Sequence, residues 1–203
     1  MGTGQMLMVI LALSLLAIVS LNLNTLLIGK TSSMLEIEAN VNGIALGQSM
    51  LDEALSASYD AVTADGTKIY DSTKFTPANS LGPSSAESGN VPLPDSLPLP
   101  APNTMPNVDL VYKSAKYYND VDDYNGYKRI AFTPTMATFY ILDTVVYVTE
   151  ANPDQVSTHR TFYKKVIVTV RHRNMVPAGK TFNPWSGPYC LQLTDIAVYR
   201  RYF

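Results

Sequence analysis

The side chains best suited to nucleophilic catalysis in this chain are Cys190 and the two histidines, His159 and His172. A cysteine beside a histidine can act as a nucleophile that is activated by a general base. No local signature of a cysteine enzyme surrounds these residues. His172 lies between two arginines and is interpreted as a strand residue without a catalytic role. The chain also contains no glycine-rich phosphate loop, zinc-ligand pattern or dinucleotide fingerprint. We therefore expect neither catalysis nor a bound cofactor.

A second group with possible chemistry is the acidic cluster Asp120, Asp122 and Asp123, which precedes Asn125 and Gly126. Carboxylate oxygens at alternate positions can bind Ca²⁺, but the twelve-residue calcium loop with its terminal glutamate is missing here. Asn-Gly is typical of a tight β-hairpin turn. A solvated acidic turn before a hairpin is therefore favoured, a weak calcium site is the alternative, and we expect no resident metal.

The longest feature of the sequence is an apolar run at residues 6–28, in which no side chain is charged. As a helix these residues span roughly 35 Å, which is enough to cross the ~30 Å hydrocarbon core of a bilayer. A helix that is apolar on every side must be surrounded by lipid or by other helices. A cleaved signal peptide would begin with basic residues and be shorter. An anchor or an assembly helix is therefore predicted.

The helix is expected to continue to about residue 58 with an amphipathic pattern. Its apolar face recurs at spacings of three and four and comprises Met34, Ile37, Val41, Ile44, Leu51 and Leu55, interrupted by Gln48. Ala39, Gly43 and Gly47 form a second repeat. Each mid-helix glycine costs about 1 kcal/mol relative to alanine. Either a neighbouring element approaches closely there, or the glycines are merely tolerated.

The rest of the chain predicts a loop followed by an antiparallel sheet. Residues 63–107 are rich in proline and serine, which favours an extended surface loop. Alternating apolar residues predict strands at residues 110–118, 127–133, 138–149, 161–172 and 194–202. The fold class is therefore α+β, with a helix at 1–58, a loop at 59–108 and a β head at 109–203.

Composition limits the classes of partner. The net charge is −2, which gives no field that attracts nucleic acid, and no contact with nucleic acid is expected. The single cysteine excludes an intrachain disulfide. The head must therefore be stable through its core alone.

This order of elements resembles that of the type IV pilins and pseudopilins: an apolar helix at the N-terminus, an amphipathic continuation, a loop and an antiparallel sheet. The resemblance implies a leader removed by a prepilin peptidase and a methylated Met1. The family usually has Phe at the first position and Glu at the fifth, where this chain has Met1 and Gln5. In the family, the carboxylate at the fifth position pairs with the terminal amine of a neighbouring subunit. The neutral amide of Gln5 can accept a hydrogen bond but cannot form this ion pair. The assembly residues implied by the resemblance are Met1, Gln5, Leu11, Leu15, Ile18, Asn22 and Asn24.

The function expected from this resemblance is that of a structural subunit of an extracellular helical filament on a prokaryotic cell surface. The partners would be copies of the chain itself, the inner membrane before assembly, and the pilus assembly machinery. One alternative is a minor pilin or pseudopilin of a secretion machine. The other is a single-pass anchored β module that binds a ligand.

Asn22 and Asn24 also predict local softening of the helix.

Overall fold

The structure, a computed structural model, describes residues 2–84, 87, 95–96, 114 and 118–200. One long helix, α1 (Thr3–Ser56), is followed by the strands β1 (Asp95–Ser96), β2 (Lys128–Thr133), β3 (Ala137–Val148), β4 (Tyr163–Arg171) and β5 (Leu191–Val198). The sheet order is β1-β2-β3-β4-β5, with β2 to β5 antiparallel and the short β1 parallel to β2. The predicted α+β fold is confirmed.

Helix α1 is unbroken over 54 residues, which corresponds to a length of roughly 80 Å. The softening predicted at Asn22 and Asn24 does not interrupt it, and the Thr25 hydroxyl donates back to the carbonyl of Leu21 at 2.9 Å. The helix ends at Ser56, two residues before the predicted end, where Ala57 turns to extended backbone.

The strands of the head follow the predicted positions closely. Strands β2, β3 and β4 lie within one or two residues of the predicted segments, whereas β5 begins three residues earlier than expected and ends at Val198. The predicted strand at 110–118 lies mostly outside the described residues. In β4, Val166, Val168 and Val170 are fully buried and face the core, as their alternation predicts.

Helix α1 lies on strands β4 and β5 through its smallest residues. A Cβ atom placed on Gly47 would lie 2.6 Å from Leu193 Cδ1, and one on Gly43 would lie 2.8 Å from Met175 Cε. Ala39 is also fully buried against the head. Of the two alternatives for this glycine repeat, close approach of a neighbouring element is therefore correct.

The large apolar residues of the same helix segment point away from the head. Met34, Ile37, Val41 and Ile44 are exposed, with exposed fractions of 69, 64, 60 and 49 %. The sequence treated these residues and Leu51 as one face, but only the last of them is buried in the core. Over residues 34–44 the helix thus presents its small side chains to its own sheet and its large ones to the surroundings, whereas Met50 and Leu51 near its end enter the core.

We predict that Gly47→Leu destabilises the head, whereas Ala45→Leu two residues earlier does not. The leucine at position 47 would overlap Leu193 and Val170, and overpacking of this kind costs about 1–3 kcal/mol. Ala45 is exposed on the same helix and accepts a larger side chain without overlap. Urea unfolding of the full chain in detergent measures both variants. Equal midpoints for the two would contradict the close helix–sheet contact.

A second core cluster joins the segment after the helix to the far end of the sheet. Tyr59, Ile69 and Phe75 are buried with Tyr147, and the rings of Tyr59 and Phe75 lie 5.0 Å apart. Part of the predicted surface loop therefore contributes to the core, since it buries Ile69 and Phe75. The predicted loop residues 85–108 lie mostly outside the part of the chain that the structure describes.

Candidate assembly surface

The apolar half of α1 is left exposed by the described part of the head. In its most apolar stretch of 18 residues the mean hydropathy is 2.6, and none of these residues is buried. Helix α1 is therefore long and apolar enough to cross a membrane, by length and composition. Exposure of such a surface to water costs about 25 cal/mol of free energy for each Å² of apolar area. The surface consequently requires lipid or other helices around it.

The predicted assembly residues lie along this surface. Leu11, Leu15 and Ile18 have exposed fractions of 60, 60 and 59 %, and their spacing of four and three places them on one side of the helix. Asn22 is four residues further on, so it continues the same row, and Asn24 is also exposed. These residues form a continuous strip rather than a pocket.

Of the two N-terminal positions compared with the pilins, Met1 and Gln5, the structure describes only Gln5. Gln5 lies in the first turn of α1, where its backbone N–H donates to the carbonyl of Gly2 at 2.9 Å. Met1 lies outside the described residues. No acidic side chain occupies the first turn, so no side-chain charge complements the helix dipole there.

The other end of α1 is fixed to the head by an ion pair between Glu53 and Arg129. Both guanidinium Nη atoms donate to the carboxylate at 2.8 Å, and the Tyr124 hydroxyl donates to it at 3.2 Å. Ser114 also donates to this carboxylate. Burial raises the pKa of Glu53, but the hydrogen bonds and charge of Arg129 outweigh it and hold this pKa below its usual value. The pair thus orients the helix on the sheet.

A second buried carboxyl, that of Asp143, lies near this pair. Asp143 on β3 is fully buried, and neither of its side-chain oxygens has a hydrogen bond to any residue that the structure describes. Burial raises the pKa of Asp143 well above the usual value, and the positive charge of Arg129 only partly opposes this effect. Burial therefore favours the neutral form of the Asp143 carboxyl in the folded head.

The acidic cluster is not the solvated turn that the sequence favoured. Asp120, Asp122 and Asp123 have exposed fractions of 1, 2 and 2 %. The Nζ atom of Lys164 lies 2.5 Å from Asp122 Oδ1, in the position that a cation would take. Among the described residues no group of three or more His, Cys, Asp or Glu side chains could hold a metal ion. The structure therefore gives no support to the alternative of a calcium site.

The histidines and the cysteine have local structural roles. The imidazole of His172 accepts the N–H of Asn174 at Nδ1 and must therefore donate from Nε2 to the carbonyl of Met136, 2.6 Å away. Burial lowers the pKa of His172 below its usual value, which favours this neutral form. Cys190 contacts the carbonyl of Pro188 at 3.8 Å, and His159 lies on an exposed loop.

Sequence reasoning missed the buried charged residues of the head, although one signal was available. Because Val166, Val168 and Val170 face the core, the same alternation places Lys164 on the buried face. A lysine there requires a buried carboxylate. Nothing local indicates which carboxylate, because its partners Asp60 and Asp122 are distant along the chain.

Comparison of this chain with family models, with curated proteins and with solved structures finds no match in any of the three. The proposal of a function therefore depends on the geometry of the chain and on its resemblance in architecture to the pilins.

Proposed function

We propose that this chain is a structural subunit of an extracellular helical filament of the type IV pilus kind, assembled through packing of α1 helices. The observation that carries the proposal is the exposed apolar side of α1, which extends from the N-terminal half into the segment that lies on the head. A helix that served only as an anchor would need exposed apolar residues over the bilayer thickness alone.

The length of this apolar surface supports assembly rather than simple anchoring. Residues 6–28 are sufficient to span a bilayer, yet Met34, Ile37, Val41 and Ile44 extend the exposed apolar surface beyond them. Exposed apolar patches of this kind mark sites of association. Neighbouring copies of α1 supply the matching apolar surface. The membrane holds each subunit by residues 6–28 before assembly, and the head then faces outward.

Packing, rather than a gain in hydrophobic burial, must fix the geometry of such a filament. Transfer of residues 6–28 from lipid to neighbouring helices changes one apolar environment for another. Residues with exposed large side chains, such as Leu15 and Ile18, then provide the contacts that distinguish the correct neighbour. Charged side chains at these positions would be desolvated among apolar groups, at a cost of several kcal/mol.

The test uses Leu15→Asp, Ile18→Asp and Val41→Glu in the full chain, each examined for sheared, pelletable fibres. All three are expected to abolish fibres while the head remains folded and the protein is still produced. Val41 lies beyond residues 6–28, so this variant tests helix packing without impairing insertion into the membrane. Tyr70→Asp is the control, because Tyr70 is exposed on the head and a charge there leaves assembly intact.

Normal fibres from the Leu15 and Val41 variants would contradict the proposal. Wild-type protein that is confined to membranes and never forms fibres would instead favour the single-pass anchored binding module. A low abundance of the chain within purified fibres would favour a minor pilin or pseudopilin.

A further inference from the structure

Lys164 lies in a closed polar site between the head sheet and the segments that follow α1. It is fully buried on the interior strand β4, with Tyr147 of β3 and Ala197 of β5 beside it in register. Its Nζ atom contacts the carbonyl of Tyr59 at 2.6 Å, Asp60 Oδ2 at 3.0 Å and Asp122 Oδ1 at 2.5 Å. The amine is therefore held against a carboxyl group at contact distance.

The polar groups around this amine are enclosed by aromatic rings. The Nζ atom lies 4.5 Å from the ring centre of Tyr59 and 5.5 Å from that of Tyr147. Asp60 and Asp122 have side chains that are 0 and 3 % exposed. The amine and the two carboxyl groups are therefore held together away from solvent.

The two carboxyl groups at Lys164 are not equivalent. Asp60 accepts hydrogen bonds from the backbone N–H groups of Val62 and Thr76 and from the Thr76 hydroxyl, so both of its side-chain oxygens are held by other groups. Asp122 accepts from Lys164 and shares a hydrogen bond with the side chain of Asp120. Asp122 is therefore the better electrophile.

Asp120 is placed to act as the acid that this chemistry requires. Its Oδ1 atom accepts the N–H groups of Asp122 and Asp123 at 2.8 and 3.2 Å, which fixes the carboxyl beside Asp122. Burial, followed by the hydrogen bond to Asp122, raises the pKa of Asp120 to about 9. At neutral pH Asp120 thus carries a proton that it can give to a leaving oxygen.

We propose that Lys164 and Asp122 form an intramolecular amide bond, with Asp120 as the proton relay. One proton passes from the Lys164 ammonium to the Asp122 carboxylate, and the amine then attacks the Asp122 carbon to form the new C–N bond. A C–O bond breaks as Asp120 donates its proton to the leaving hydroxyl and takes one from the nitrogen. The products are an amide and one water molecule, so no oxidant or co-reactant is needed.

The bond would link β4 to the turn at Asp122–Tyr124, across 42 positions of the chain. A crosslink over a loop of this length restricts the unfolded chain in the way a disulfide does. The chain has one cysteine and cannot form an intrachain disulfide. The proposal does not depend on filament formation, since it concerns the head alone.

Intact mass spectrometry of the denatured full chain tests this inference. The wild-type protein is expected to be lighter than its sequence by one water molecule, and peptide mapping should yield a branched peptide that contains Asp122 and Lys164. Lys164→Met is expected to restore the full sequence mass. Lys165→Met is the matched control, because the adjacent lysine pairs with Asp154 at the surface and its loss leaves the crosslink intact.

The variant Asp120→Ala tests the proposed role of Asp120 in proton transfer independently of the folding of the head. It should retain the full sequence mass even where circular dichroism shows a folded head, and a normal loss of water in this variant would overturn the role of Asp120. A folded wild-type protein with the unmodified mass would overturn the crosslink itself. A loss of water that persists in Lys164→Met would do so too, because the dehydration would then lie elsewhere.

Discussion

Replacement of Arg129 by methionine is expected to lower the free energy of unfolding of the head by about 3–5 kcal/mol. Arg129 and Glu53 have side chains that are 4 and 17 % exposed, so little water is available to solvate the carboxylate once its partner is removed. Urea unfolding of the full chain in detergent, followed by tyrosine fluorescence, measures the change.

Two further variants make this prediction specific to the pair. Glu53→Leu combined with Arg129→Met removes both charges and should recover most of the lost stability, because apolar groups of similar size replace a buried ion pair at little cost. Lys165→Met breaks the exposed pair with Asp154 and should change stability by less than about 1 kcal/mol. If Arg129→Met alone lowers the free energy of unfolding no more than Lys165→Met does, the carboxylate of Glu53 is solvated.

The sequence predicted the elements of this fold well, because each has a strong local signal. The uncharged run at 6–28 and the period of the following segment allow only a helix. The alternation of Val166, Val168 and Val170 in β4 allows only a strand with one buried face. The Asn-Gly turn before β2 is also present, with Gly126 at a φ of 81°, which a glycine adopts without strain. These features depend on neighbours in the chain and not on the tertiary fold.

The orientation of α1 on the head could not be predicted in the same way. The usual expectation is that the large apolar residues of a helix face its core. Here Leu193, Val170 and Met175 supply the bulk from the sheet side, so that glycine, which has no Cβ atom, fits opposite them. A helix with two apolar faces does not indicate which face contacts which partner. That choice depends on the shape of the sheet surface.

The buried charges were also beyond sequence reasoning, since their partners are distant along the chain. Arg129 and Glu53 are separated by 76 positions, and Lys164 and Asp60 by 104. Each of these residues is of a type that is usually exposed. The acidic cluster was predicted to be a solvated turn because Lys164, which pairs with Asp122, comes from a strand distant along the chain.

The contribution of Asp143 to the stability of the head should fall as the pH rises above about 4, and Asp143→Asn should remove this contribution. The pKa of a free aspartate is about 3.9, whereas burial raises the pKa of Asp143 well above the usual value in the folded state. Below about pH 4 the carboxyl is protonated in both states and its ionisation does not affect unfolding. Above that pH the unfolded chain releases the proton while the folded head retains it, so unfolding becomes easier.

The size of this effect follows from linkage. Each pH unit between the unfolded and the folded pKa removes about 1.4 kcal/mol of stability for as long as the folded head holds the proton. Asparagine is close in shape to the neutral acid but has no proton to release, so the wild type should lose stability relative to Asp143→Asn as the pH increases. The comparison isolates Asp143, because the opposite effect of Glu53, whose pKa is lowered, is common to both proteins. Parallel curves of unfolding free energy against pH would show that Asp143 is ionised in the folded head, with Arg129 as its counter-ion.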